Sequence, residues 1–338
     1  MRGFDYVRAE TVGDAVRALA ANPTAQLLAG GTNLVDLMKY DVARPSALID
    51  INRLPLRSIE EADGGGLRIG ALVSNSAMAY DDRIRDRFPL LSSAILAGAS
   101  PQLRNAATAG GNLGQRTRCY YFYDPSTPCN KREPGSGCAA IGGVNRIHAI
   151  LGASSSCIAV HPSDMCVALS ALGAVVEVEG PDGARDVAFT DFHRLPGDSP
   201  ERDNTLLPGE IVTAIRLSSN HFSDTSSYLK LRDRMSYAFA LVSVAAAVEV
   251  SDGVIVDVRV ALGGVAHKPW RDELAENEFA GEPASKDGFG RLADRLLVGA
   301  TGQGDNDFKI PLARRAIVRA LMQAAAGKPQ VQSIKAIQ

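Results

Sequence analysis

The sequence predicts an α+β protein of two or three domains, and three observations lead there. The chain has 338 residues, well beyond the ~150 of a typical single domain. Short apolar runs of strand length are interleaved with segments whose apolar residues recur at helical spacing. A proline- and glycine-rich stretch between Cys119 and Cys138 interrupts both patterns. Hydrophobic residues make up 46% and charged residues 22% of the chain, so a packed core is expected and a disordered or collagen-like chain is excluded.

The 36 basic and 38 acidic residues nearly cancel, leaving no field that would gather a nucleic-acid backbone or an anionic membrane. No apolar run is long enough for a membrane span, and the opening residues lack a secretory pattern, so no export signal of its own is expected.

The elements follow in order. Thr11 with Asp14 reads as a helix N-cap, and Val12, Ala15, Val16 and Leu19 share one helical face. Residues 26–29 form a short strand, Gly30-Gly31 a turn, residues 33–38 a helix and residues 47–51 a second strand, which gives a small β-α-β-α-β unit. A strand over 67–72 and helices over 76–84 and 90–97 open a second unit. Residues 119–138 should be a long loop, of a kind that is uncommon unless functional or tied down. Strands are expected over 146–151 and 157–160, then a helix from Ser163 and a strand over 174–178. A second loop covers 195–208. The last unit starts near Ser226 with a strand over 228–232, a helix over 238–246, a strand over 254–262 and a helical tail.

Two glycine turns carry the first chemical signal: Leu27-Leu28-Ala29-Gly30-Gly31-Thr32-Asn33-Leu34 and Thr108-Ala109-Gly110-Gly111-Asn112. Paired glycines let backbone N–H groups converge on an anion, and Thr and Asn add side-chain donors, which suits a pyrophosphate. Each turn alone also reads as an ordinary tight turn. Residues 135–140 mimic a Rossmann fingerprint, but no strand precedes them and prolines surround them, so a Rossmann NAD site is not expected. The five histidines form no ligand pair at helical spacing, and surface or satisfied-core roles are expected for most of them.

All five cysteines fall between residues 119 and 166, spaced C-x9-C-x8-C-x18-C-x8-C. This matches neither the common ferredoxin runs nor a zinc finger. Four thiolates would suit a [4Fe–4S] cluster or a structural zinc ion, and either would order a loop that has little apolar surface of its own. Five unrelated buried thiols are the plain alternative. Cys166 sits on the flank of an apolar helical stripe, where a small residue packs well, which leaves Cys119, Cys129, Cys138 and Cys157 as the ligand set.

The two turns, with Ser163-Asp164, Gly209-Glu210-Ile211, Lys230, Ser236-Tyr237-Ala238, Gly263-Gly264-Val265-Ala266 and Pro269-Trp270-Arg271, resemble the FAD-binding subunit of the xanthine dehydrogenase and carbon monoxide dehydrogenase family over nearly the whole chain. The insert from Cys119 to Cys157 resembles more narrowly the flavin subunit of periplasmic aldehyde oxidoreductases, which holds an additional [4Fe–4S] cluster. The resemblance implies a PCMH-type fold of two FAD-binding subdomains, 1–55 and 56–222, the second carrying the cysteine-rich loop 119–157, followed by a domain of antiparallel strands and helices over 223–338. It implies that residues 27–34 wrap the FAD diphosphate and that 108–112 approach it from the flavin side. Asp164 would bond toward the ribose or adenosine, and Lys230 would favour negative charge on the reduced flavin. Val212 would line the pocket.

The function so implied is an electron relay. A large partner would oxidise an aldehyde at molybdenum, a small partner would carry electrons through two [2Fe–2S] clusters, and this chain would pass them through FAD to an external acceptor. The resemblance also implies a periplasmic complex exported under a partner's signal, with a cytoplasmic complex as the alternative. Two rival functions remain in view: a free-standing flavin oxidase and a four-cysteine zinc module used for assembly.

Overall fold

The computed structural model describes residues 1–332, so the last six residues of the expected 223–338 unit lie outside the described residues. Among those described, the strands form three sheets. The first joins β1 (Asp5–Arg8), β2 (Gln26–Leu28) and β3 (Ala47–Asp50) in parallel, in the order β1-β3-β2. The helix Val12–Ala21 crosses between β1 and β2 and starts at a complete capping box. The Asp14 amide donates to Thr11 Oγ1 at 3.1 Å and the Thr11 amide to Asp14 Oδ2 at 2.9 Å. Such a cap is worth ~1 kcal/mol, and it turns Ala15 and Val16 into a core with Ile49 and Leu54.

The second sheet is antiparallel and mixes distant parts of the chain. It contains β4 (Ile59–Ala62), β5 (Gly66–Gly70), β6 (Val175–Gly180), β7 (Gly183–Ala188) and β8 (Ile211–Leu217), ordered β4-β5-β8-β6-β7. The helix expected over 76–84 is two helices, Asn75–Tyr80 and Asp82–Arg87. Asp81 leaves the helical region at ψ 125° and caps the second helix by accepting from the Arg83 amide.

The third sheet is a meander of β9 (Ser226–Leu231), β10 (Val242–Ser251) and β11 (Val254–Gly263), with β10 in the middle. Here the expected helix over 238–246 is overturned, because most of that segment is strand β10. Its run Leu241-Val242-Ser243-Val244-Ala245-Ala246-Ala247-Val248 is buried on both faces. An apolar run without polar alternation does not distinguish a helix from a central strand. The small alanines let the helix Lys309–Ala325 pack on one face and the helix Asp164–Ala171 on the other. All eight residues of the latter are buried. It joins Tyr228, Ala245 and Ala261 of the third sheet to the core beneath the second.

Residues 146–151 and 157–160, expected as strands, form none. Their backbone groups make scattered bonds, Ile150 and Leu151 N–H to Val265 O and Ala149 N–H to Ile158 O, so no ladder develops. The cysteine loop holds one helical turn, Tyr120–Tyr123, and isolated bridges at Cys129–Cys138 and Ser154–Cys157.

Candidate functional site: a cleft and an adjoining four-cysteine pocket

A cleft of about 1030 Å³ is walled by residues from all three sheet units. The two glycine turns meet at its base, and their glycines divide the work. A Cβ on Gly30 would sit 1.8 Å from the Ala106 carbonyl, and one on Gly110 would meet Ala71 at 3.0 Å. These two glycines let one turn lie against its neighbours. Gly31 takes a left-handed φ of 69°, and Gly111 alone of the four lines the cleft. Asn52 fixes the first turn by donating from Nδ2 to the Ala29 carbonyl at 3.0 Å.

Of the residues expected at the cofactor, Thr32, Asn33, Gly111, Asn112, Asp164 and Lys230 line the cleft. Leu27, Leu28, Ala29, Gly30, Gly31, Leu34, Thr108, Ala109 and Gly110 do not, and several support the wall from behind. Leu27 and Ala29 pack on the first core, Ala109 lies in the second, and Thr108 Oγ1 caps the Gly111 amide at 3.2 Å. Val212, expected to line the pocket, is not part of this cleft's lining. It pairs with Val178 in the second sheet and packs, partly buried, between two cores away from the cleft lining.

The cleft holds polar atoms that the protein itself does not satisfy. Asn33 Nδ2, Asn75 Oδ1 and His161 Nε2 are buried without a partner, each at a cost of ~1–3 kcal/mol unless a ligand bonds it. Asn33 is oriented by the Arg116 amide, which donates to Oδ1 at 2.8 Å, so its Nδ2 donor is the free end. Arg118 lines the cleft with no ion pair among the described residues, stacked over the Tyr123 and Phe239 rings. Burial lowers its pKa from the usual arginine value. Two wall residues, Ala99 and Tyr237, sit at positive φ without being glycine, a strain that tends to collect at binding sites.

Asp164 and Lys230 form a buried pair at 2.8 Å. Asp164 also accepts from the Tyr228 hydroxyl at 2.7 Å, and Lys230 donates to the Ala97 carbonyl at 3.2 Å. The lysine charge expected beside the flavin is therefore balanced by a carboxylate within the same wall.

Cys119, Cys129, Cys138 and Cys157 line one pocket of about 10 Å³, together with Lys131 and Ala159. Asn130 gathers it: Oδ1 accepts from the Gly135 and Gly137 amides at 3.1 and 2.8 Å, and Nδ2 donates to the Ser156 carbonyl at 3.0 Å. One side chain thus shapes the turn between Cys129 and Cys138 and draws in the Cys157 segment. Burial pushes the Cys119 thiol up to about 12 and Cys157 to about 11. Four sulfurs around one small space, three of them on buried cysteines and Cys138 partly exposed, are a donor set that fits a soft metal ion or a cluster, either of which would take them as thiolates. Cys166 lies apart, inside its helix, in the second core.

The sequence predicts surface or satisfied-core histidines, and four are buried, but it does not reveal their free ring nitrogens or their grouping. His148, His161, His193 and His267 are each at most 8% exposed, with one ring nitrogen unpartnered. His161, His193 and Cys166 come within 4.8 Å of one another from separate elements. No spacing rule announces this, since the tertiary fold alone brings them together.

Comparison with known proteins agrees along nearly the whole chain. Residues 2–218 match the FAD binding domain in molybdopterin dehydrogenase, and 226–324 the CO dehydrogenase flavoprotein C-terminal domain. The chain is 49% identical over 327 residues to the aldehyde oxidoreductase FAD-binding subunit PaoB of Escherichia coli K12, covering 96% of this chain and 99% of that one. It is 27% identical to the carbon monoxide dehydrogenase medium chain of Afipia carboxidovorans, covering 95% and 98%. The crystallised carbon monoxide dehydrogenase of Hydrogenophaga pseudoflava superposes with a TM-score of 0.76 at 28% identity, covering 96% of this chain and 98% of that one. With a glycine-turn cleft that fits the cofactor and two matched domains in the family's order, the chain belongs to the FAD-binding medium subunits of the molybdenum hydroxylases, on their aldehyde oxidoreductase side.

Proposed function

We propose that this chain is the electron-transfer subunit of a heteromeric molybdenum aldehyde oxidoreductase, holding FAD in the cleft and a [4Fe–4S] cluster on Cys119, Cys129, Cys138 and Cys157. A large molybdenum-cofactor subunit and a small subunit with two [2Fe–2S] clusters would supply the electrons, and an external acceptor would take them. The observation that carries this reading is the adjacency of the two sites. Tyr120, next to Cys119, and Ile147, next to a histidine that bonds Cys119, both line the cleft.

Bound flavin supplies the chemistry of accepting electrons singly and releasing them in pairs. The chain's own residues bind and orient. Asn33 Nδ2 would bond the diphosphate, Gly111 would let it approach the backbone without a side chain in the way, and Arg118 would be the neighbouring cation. The Asp164–Lys230 pair would present a fixed dipole to the cofactor, and the Tyr40 and Tyr123 rings, edge to face at 5.4 Å, would shield the mouth from water.

A structural zinc ion on the same four cysteines is the second reading, favoured by the same donor set. Metal analysis and an absorption spectrum of the complex separate the two. Iron with a broad iron–sulfur shoulder beside the flavin bands is expected; zinc without iron would refute the cluster. Cys129→Ser should lose the iron, and Cys166→Ser should keep it. A periplasmic location, reached within a complex exported on a partner's signal, is proposed on the resemblance to the periplasmic enzymes, with a cytoplasmic complex as the alternative. Cell fractionation of the co-expressed complex tests it. Among the described residues no helix is long and apolar enough to cross a membrane.

A further inference from the structure

Neighbouring residues of two short segments face the two sites, and one histidine packs where those segments meet. His148 is 1% exposed, and its Nε2 lies 3.1 Å from Cys119 Sγ. The Phe122 amide donates to the Cys119 carbonyl at 3.1 Å, and the Ala159 amide contacts Cys157 Sγ at 3.4 Å. The histidine is thus the side-chain partner that Cys119 Sγ meets. The His148 backbone is clamped from the other side. Its carbonyl accepts from Lys309 Nζ at 2.7 Å and from Asn306 Nδ2 at 3.1 Å, and the fully buried Lys309 also reaches the carbonyl of Gly264, a residue of the cleft wall. Ile147, one residue earlier, lines the cleft, as does Tyr120 beside Cys119.

We propose that His148 is a positioning residue that sets the reduction potential of the four-cysteine cluster through an Nε2–H···Sγ bond to Cys119, and that Cys119 is the ligand on the flavin side. The inference rests on the reading of an iron–sulfur cluster at these cysteines. Hydrogen bonds to cluster sulfurs stabilise the more negative, reduced state and so raise the potential. No bond forms or breaks in the step: one electron crosses between flavin and cluster, and the proton stays on Nε2. With its donor on Cys119, beside Tyr120 of the cleft wall, His148 would favour the reduced cluster from the side facing the cleft.

The test uses the co-expressed complex with His148→Leu and His148→Gln, read by iron content and by EPR-monitored potentiometry with the flavin couple as internal reference. His148→Leu should keep its iron and show a lower cluster potential. At the wild-type midpoint its oxidised-to-reduced ratio should rise about tenfold, the size expected for one lost charge-assisted hydrogen bond. His148→Gln, which retains a donor, should fall between the two, and the flavin potential should hold. An unchanged cluster potential in an iron-replete His148→Leu complex overturns the proposal. Should the leucine variant fail to load, pulsed EPR on the reduced wild-type cluster decides: a histidine nitrogen coupling supports the bond, and its absence refutes it. A wild-type complex holding zinc and no iron overturns the underlying cluster reading, and metal analysis shows this before any variant is made.

Discussion

Arg116 bonds Asp203 Oδ2 through Nε at 2.7 Å while its own backbone amide donates to Asn33 Oδ1 at 2.8 Å. Asp203 is shared with Lys131 of the cysteine loop, whose buried Nζ also donates to the Pro200 carbonyl at 2.7 Å. A single carboxylate therefore links the flavin turn, the cysteine pocket and the loop around residue 200. Burial works against its charge, yet Lys131 and Arg116 hold its pKa well below the usual carboxylate range.

Asp203→Asn should consequently disturb both sites at once. It leaves the Lys131 ammonium buried without a counter-ion, and breaking a buried pair in this way costs about 3–5 kcal/mol. Denaturant unfolding should show a loss of that order, and purified protein should have lost both flavin and iron. A variant that loses only one of the two would show that the shared carboxylate does not couple them.

The glycines of the two turns should respond differently to the same kind of change. Gly30→Ala drives a methyl into the Ala106 carbonyl, so the turn must open and the protein should unfold by several kcal/mol more readily or fail to accumulate. Gly111→Val places its side chain at the cleft, where the first contact is the Thr108 hydroxyl at 2.9 Å. That variant should fold and be purified with little flavin. Circular dichroism and flavin content measured side by side check both.

Acid should destabilise the fold before its carboxylates titrate. Burial, the largest cause, pushes His193 and His267 down to about 4, and His161 well below the ordinary histidine value of 6.5. As pH falls below 6.5 the unfolded chain takes up protons that the folded chain refuses, so the stability fully present above 6.5 declines, down to about pH 4 on account of His193 and His267. The melting temperature should fall steadily across that window. His193→Phe should flatten the slope; an equally steep decline in that variant would assign the loss to other groups.

The sequence by itself determined the local pieces whose physics is short-range. The Thr11 capping box, the strand–glycine–helix turn at 26–38 and the proline-rich loop that cannot make its own core were legible because neighbouring residues decide them. The clustering of five cysteines within one stretch was legible for the same reason. Long-range packing decided the rest. The segment 238–246 follows the strand because alanines buried on both faces suit the centre of a sheet between two helices, and no local period reveals a two-sided environment. Asn33, Asp203 and Lys131 carry no distinguishing pattern in sequence, being separated by up to 170 positions, yet burial in a low-dielectric wall makes their charges and amides seek one another. His148 reads as an isolated histidine until the fold sets its ring against Cys119. Which cysteines share a pocket, which glycine faces the cleft and which histidine touches sulfur are decided by contacts between distant segments, where satisfying buried polar groups outweighs any preference of the local chain.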